Sequence, residues 1–564
     1  MNDKNNRIVL LTLFLIVCAL FVANAQEGKL LQSEEKVVLF TDRSIYIVGE
    51  QIYFSADLLN SDSLNGISAS QIIYCELITP DGSKITGGKF LVYQYSATGS
   101  LDIPADLLTG TYYIRAYTKL MRNYGPESFG YNQIRIVNPG RPELAATTVG
   151  QKTPDHPARV DTLIIHDKSL SVVTNSAHYS SRDTVNISVW VDADGKLKVR
   201  NLCLSVVPEA AKSSLAIIPE TLGTHQNSNI YYTENHGLSL IGKLNFGASE
   251  TPIKGKKVNL SIMGEGRDFI SVRTDSSGRF FFALPSYYGS RDLFLCSEKL
   301  PSKDVKIWVD NDFCTTPYPL PAPTFILSDP ERNAVYNMAT NVQIQSQYAS
   351  NAKPDSIVNR KEEQTFYGKP TSIIYLDQYI QLPTLEDYFN ELPSQVKVRK
   401  HKGEPYFYVI GSRNVSFYDP LVLIDWVAVD EPSKILAIAP QNVSRIEIVN
   451  ETYIKGNQTY GGIISIISQK GDFACIDLPS TGIFINYRFL SENRLPETQN
   501  PNKANSPDTR NTLLWQPEVV LKGDKKAGYS VLAPDTPGRY IVFLEGISAD
   551  GEILSKTCTF EVNN

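Results

Sequence analysis

His401 and Glu404 stand at the H-x-x-E spacing that can bring an imidazole and a carboxylate to one zinc ion. They flank Lys402-Gly403, which reads as the turn of a hairpin in "VKVRKHKGEPYFYVIG", and no histidine follows to supply a third ligand. Lys400 and Lys402 add positive charge beside the ring, so the segment predicts no metal. Asp192-Ala193-Asp194-Gly195 opens like a calcium loop. It lacks the next acidic position, the glycine offset and the closing glutamate, and a hairpin turn is expected there. No G-x-S-x-G elbow, phosphate-binding loop or H-E-x-x-H helix occurs. Nothing singles out a glycosidase pair among 60 Asp and Glu residues. The residues therefore predict no catalytic group, no metal and no cofactor. One side chain is left as a weak binding candidate. Trp426, next to Asp425 at the end of an apolar strand, is either an exposed aromatic anchor or, more plainly, a packed core tryptophan.

Charge and export signals narrow the partners. The chain carries 54 Lys and Arg against 60 Asp and Glu, a net charge of −6, with no basic run of five, so the footprint of a nucleic-acid binder is missing. Lys4 and Arg7 precede an apolar stretch from Ile8 to Val22, and Ala23-Asn24-Ala25 follows with the small residues of a cleavage site. Residues 1–25 read as a signal peptide, with a mature start at Gln26. The apolar run of about 15 residues falls short of the roughly 20 that span a bilayer, and no other stretch predicts a transmembrane helix in the mature chain. Cys18 follows Val17 rather than a small residue, which argues against a lipoprotein site. Cys75, Cys203, Cys296, Cys314, Cys475 and Cys558 mostly sit alone in apolar runs such as "IIYCELI", which favours buried thiols over a disulfide framework.

The elements that must position these residues are mostly strands. Tyr and Phe are plentiful, and Gly and Pro recur at turn spacing. Residues 33–140 alternate strands and turns, from "TDRSIYIVGEQIYFSADLL" to "DIPADLLTGTYYIRAYT". The spacing of Asp42, Tyr46, Gly49-Glu50 and Tyr53 resembles the second macroglobulin-type domain of α-macroglobulins and their bacterial relatives. Protease-trapping members of that family depend on a thioester segment, and no Gly-Cys-Gly-Glu-Gln text occurs here, so thioester trapping is not implied. Residues 158–235 predict a second β-sandwich. In 236–313, Pro252, Gly255, Val258, Thr274, Asp275, Gly278 and Phe280 resemble the carboxypeptidase regulatory-like, transthyretin-like sandwich, which implies a spacer without catalysis. Residues 314–370 read as a Pro-rich connector and a helix. Ser328 and Glu331 form its capping pattern, and Val335, Met338 and Val342 lie on one face.

Residues 371–475 open with "LPTLEDYFNELP", a helix from Thr384 with Asp387 in the capping position and Leu385, Tyr388, Phe389 and Leu392 on one face. The apolar strand Leu421 to Ile424 follows, ending at Asp425, and then "IAPQNVSRIEIVN" and "YGGIISIISQKG". Pro420, Leu421, Asp425, Ile446, Glu447, Tyr460, Gly461, Ile464, Ile466 and Lys470-Gly471 make this segment similar to the plug domain of TonB-dependent outer-membrane receptors. Trp426 stands where that family has a turn glycine, and the residues after Gly471 are too few for a receptor barrel. Residues 476–564 read as a loop and a C-terminal sandwich segment, thin for its own core, that borrows strands such as "GIFINYRFL" or docks on another module.

The fold class expected is mainly β: tandem immunoglobulin-like or macroglobulin-like sandwiches with one α/β plug-like domain. The function expected is that of a non-catalytic, exported protein of a Gram-negative envelope, in the periplasm or associated with the outer membrane. It would act as an assembly scaffold for a protein or glycan partner. An accessory of a TonB-dependent transport system, engaging a separate outer-membrane barrel, is the alternative, and an unrecognised hydrolase is a third reading.

Overall fold

The computed structural model describes residues 35–60, 69–145, 170–191, 197–212, 216–217, 230–247, 250–264, 266–300, 305–349, 365–412, 414–456, 458–496, 507–522 and 525–563. The signal-peptide reading of residues 1–25 and the Asp192–Gly195 turn lie outside them. The chain is mainly β, built of several sheets that pair into sandwiches. Among the described residues no helix is long and apolar enough to cross a membrane. Two compact units divide it, one formed by residues 1–236, 313–353 and 491–564, the other by 237–312 and 354–490.

In the first unit, strands Glu35–Thr41, Gln51–Asn60 and Ser96–Asp102 form a three-stranded sheet. It belongs with a larger sheet whose central members are Ile72–Ile78 and Gly110–Tyr117. Every residue of Ile72–Ile78 is buried, although a half-covered antiparallel strand would show one wet face. The reason is a second cover. The segment after Phe313 lies over the outer face, with Phe313 edge-on to Tyr74, Tyr318 stacked on Tyr131 and the Tyr113 hydroxyl donating to the Pro321 carbonyl at 2.6 Å. The expected Pro-rich connector is thus, in its first part, a strap packed on the first sandwich.

Helix Asp329–Ala349 follows, with the Ser328 amide and hydroxyl both donating to Glu331 at its start. Its Val335, Met338 and Val342 face pack with Ile45 and Ile47.

The second sandwich corrects the sequence reading. Thr184–Val191 alternates exposed and buried residues along its length, the mark of a strand with one face on a core. Its neighbours are Leu170–Thr174 on one side and Lys526–Leu532 on the other. Val199–Pro208 pairs with Gly538–Ser548, which pairs in turn with Ile553–Asn563. The spans expected as separate modules, 158–235 and 476–564, therefore supply strands to the same two sheets. They close one core around Val185, Ile187, Leu204, Val542 and Phe560. "GIFINYRFL" is not among the borrowed strands.

Asp57 lies deep in the first unit, accepting from the Asn201 amide at 3.0 Å. Burial pushes its carboxyl up to about 7. The unfolded carboxyl titrates near 4. A raised folded value means that its contribution to stability is complete below about pH 4 and is lost as pH rises through about 7. Asp57→Asn should remove a slope on the order of 1 kcal/mol per pH unit between those limits. Denaturant titrations of both proteins from pH 4 to 8 would check this, and parallel stability curves would refute it.

The second unit begins with a sandwich. Ser239–Phe246 is flanked by Arg279–Ala283 and Val305–Val309 in one sheet, and Asp268–Arg273, Lys257–Ile262 and Ser290–Ser297 form the other. That second sheet gains Ile483–Arg488, the "GIFINYRFL" strand, antiparallel to Ser290–Ser297. Residues 365–475 carry a five-stranded sheet in the order Ser372–Tyr375, Val443–Val449, Ile463–Ser468, Leu421–Ile424, Val427–Ala428. Leu421–Ile424 and Ile463–Ser468 run parallel side by side. Helix Leu385–Glu391 starts at a complete capping box between Thr384 and Asp387 and buries Leu385, Tyr388 and Phe389 against one face of the sheet. The other face packs Leu421, Leu423, Trp426 and Ile463 against Tyr367 and Phe269. Gly461 shows why the "YGG" text matters. A Cβ there would lie 2.0 Å from the Tyr418 carbonyl oxygen, so only glycine lets these backbones approach.

Candidate binding groove on the α/β sheet

His401 pairs with Glu404 across a hairpin whose turn residues Lys402 and Gly403 have φ values of 52° and 87°. Both side chains are exposed, and among the described residues no three His, Cys, Asp or Glu side chains gather as a metal site would require. The outward face of this hairpin alternates Lys397, Arg399 and His401, with Tyr406 and Tyr408 opposite. His401→Ala should change stability by no more than about 0.5 kcal/mol. Stoichiometric zinc in the purified protein that is lost with this variant would contradict the reading.

Asp425 and Trp426 form the two-residue turn between Leu421–Ile424 and Val427–Ala428, with φ of 43° and 69°. Both angles lie in the left-handed region that glycine adopts most readily, and such a turn matches the twist of a tight hairpin. Asp425 compensates by pinning the neighbouring chain. Its carboxylate accepts from the Ser468 amide at 2.8 Å, the Ser468 hydroxyl at 2.6 Å and the Phe473 amide at 2.9 Å. A turn with a side chain at the usual glycine position is therefore held from both ends.

Trp426 is buried, not the exposed anchor considered from the sequence. The Arg267 guanidinium lies 3.6 Å from its ring centroid, and among the described residues the indole Nε1–H has no acceptor. Trp426 forms one wall of a groove of about 760 Å³ lined also by Arg267, Lys369, Ile373, Tyr375 and Arg445. Arg445 Nε donates to Glu447 at 2.7 Å, and the Tyr367 hydroxyl holds the other oxygen of that carboxylate. Burial first, and then this bond, push the Tyr367 phenol well above its ordinary value. Lys369 is exposed and, among the described residues, makes no ion pair. Three cations against one carboxylate give the groove a positive balance. Sequence reasoning reached Trp426 but missed Arg267, Lys369 and Arg445. Only Arg445 and Glu447 left a trace, since their i, i+2 spacing in "VSRIEIV" puts both on one face of a strand.

No protein-family model matches the chain, and no curated protein matches it. Among solved structures it aligns with trypsin-activated alpha-2-macroglobulin from Escherichia coli at 10% identity, covering 94% of this chain and 42% of that one, TM-score 0.24. Salmonella alpha-2-macroglobulin reacted with methylamine aligns at 9% identity over 94% of this chain and 39% of that one, TM-score 0.23. Domains 5–6 of the S-layer protein SbsC align at 11% identity over 47% of this chain and 91% of theirs, TM-score 0.13. The chain spans less than half the length of the macroglobulins it aligns with. Superposition this loose transfers no residue role.

Proposed function

We propose that the chain is an exported, non-catalytic binding scaffold of a Gram-negative envelope, working in the periplasm or at the outer membrane. The observation that carries this reading is how its buried ionisable groups are used. Asp42, Arg43 and Glu50 meet Asn511 and Thr512, Glu76 and Arg115 hold the Cys314 strap, and Lys212 Nζ lies 2.5 Å from Glu545. Burial pushes Glu545 up, and Lys212 works against that shift. Each cluster joins segments far apart in sequence and is enclosed by protein, an arrangement suited to cohesion rather than to turnover of a substrate. The groove beside Trp426 is the surface available for a partner.

A photo-crosslinking residue at Tyr375, in cells, tests the reading. A discrete crosslinked envelope component, together with no turnover on glycan and peptide panels, is the expected result. Turnover that disappears on changing one carboxylate would overturn it. A crosslinked receptor barrel would transfer the chain to the transport-accessory alternative.

A further inference from the structure

We infer that the groove beside Trp426 takes an extended acidic peptide, with a carboxylate seated among Arg267, Lys369 and Arg445. This rests on the binding-scaffold reading and names the ligand class. Three features converge on it. The first is charge. Among the described residues Lys369 has no ion pair, Arg445 is held in a fixed orientation by Glu447, and the Arg267 guanidinium lies over the indole ring. An anion entering here meets Arg445 already positioned, so little ordering is required of that side chain.

The second feature is the strand Ser372–Tyr375. It is the end member of its sheet, and among the described residues no strand pairs with its other edge. Its Ile373 and Tyr375 side chains are exposed and line the groove. An edge of this kind adds a peptide strand through main-chain hydrogen bonds, while the alternate side chains of the guest meet the groove. That favours a peptide over an acidic sugar, which has no backbone to pair with the edge.

The third feature is the indole. The Trp426 ring lies under the Arg267 guanidinium, and among the described residues its buried N–H has no acceptor. A guest carboxylate that draws Arg267 off the ring changes the surroundings of the indole. Trp426 is thereby an optical reporter of binding.

The test uses the exported full chain and three probes: an alternating valine–glutamate octapeptide, its valine–glutamine counterpart and oligogalacturonate. Binding is read by tryptophan fluorescence and by calorimetry. The glutamate peptide should bind at least about 10-fold tighter than the glutamine peptide, as charge-assisted hydrogen bonds predict. Lys369→Glu, a change at an exposed side chain, should weaken it by a similar factor. Trp426→Phe should lose the fluorescence response.

Equal affinity for both peptides, tighter binding of oligogalacturonate, or affinity unchanged by Lys369→Glu would overturn the assignment. Those outcomes with the Tyr375 crosslink intact remove only the ligand class. Selective peptide binding accompanied by turnover removes the scaffold reading and leaves the ligand class standing.

Discussion

Arg115→Ala is expected to cost about 3–5 kcal/mol, because it leaves a buried carboxylate without its partner. Glu76 and Arg115 are both fully enclosed, with Arg115 Nε 2.7 Å from Glu76 Oε2. The Tyr117 hydroxyl donates to the same oxygen at 2.9 Å, Arg115 Nη2 donates to the Cys314 carbonyl at 2.6 Å, and the Cys314 amide donates to the Tyr117 oxygen at 2.8 Å. Without the guanidinium, Glu76 is left with Lys84 at 3.9 Å, and the strap loses the hydrogen bond to its Cys314 carbonyl. Hydrogen-exchange protection of Ile72–Ile78 and Gly110–Tyr117 should fall accordingly. The double variant Glu76→Leu, Arg115→Met should recover most of the loss, since two apolar side chains of similar volume need no partner. A loss under about 1 kcal/mol in the single variant would show that water reaches the pair.

Asp42→Ala is expected to cost about 3 kcal/mol and to loosen the C-terminal segment around residues 508–513. Its carboxylate accepts from the Tyr46 hydroxyl at 2.7 Å, the Tyr53 amide at 3.1 Å, Arg43 Nε at 3.3 Å and the Thr512 hydroxyl. Arg43 continues to Glu50 at 2.9 Å, and Glu50 accepts from the Asn511 amide at 2.7 Å. Removing Asp42 breaks the centre of this chain of contacts, leaving Arg43 with Glu50 as its carboxylate partner. Limited proteolysis should then cut near Asn511 at a higher rate. Tyr46→Phe, which removes one donor and keeps the ring, should cost only about 1 kcal/mol. Equal effects of the two changes would locate the stabilisation in the Tyr46–Asp42 hydrogen bond alone.

What could be read in the sequence was what is local. The Thr384–Asp387 capping box, the Ser328–Glu331 start and the apolar runs Leu421–Ile424 and Ile463–Ile467 each carry their signal within a few residues, and each forms the expected element. Which strands become partners is a different matter. Alternation in "TVNISVWV" says that one face is buried, but not that its neighbour is a strand whose Ser530 lies 344 residues from Asn186. The same gap hid the destination of "GIFINYRFL". At the groove, Trp426 drew notice as a side chain in a glycine position, whereas Arg267 and Lys369 are isolated cations in separate segments. Only the fold brings them together.

The shared second sandwich dictates a timetable. Thr184–Val191 and Val199–Pro208 are synthesised long before Lys526–Leu532 and Gly538–Ser548 arrive to complete their sheets. Until then, the Val185, Ile187 and Leu204 side chains have only half a core. The intervening 237–312 and 354–490 form a compact unit of their own. The last strands to emerge thus act as a latch. An interrupted chain exposes unpaired strand edges to proteases, and a completed one conceals them.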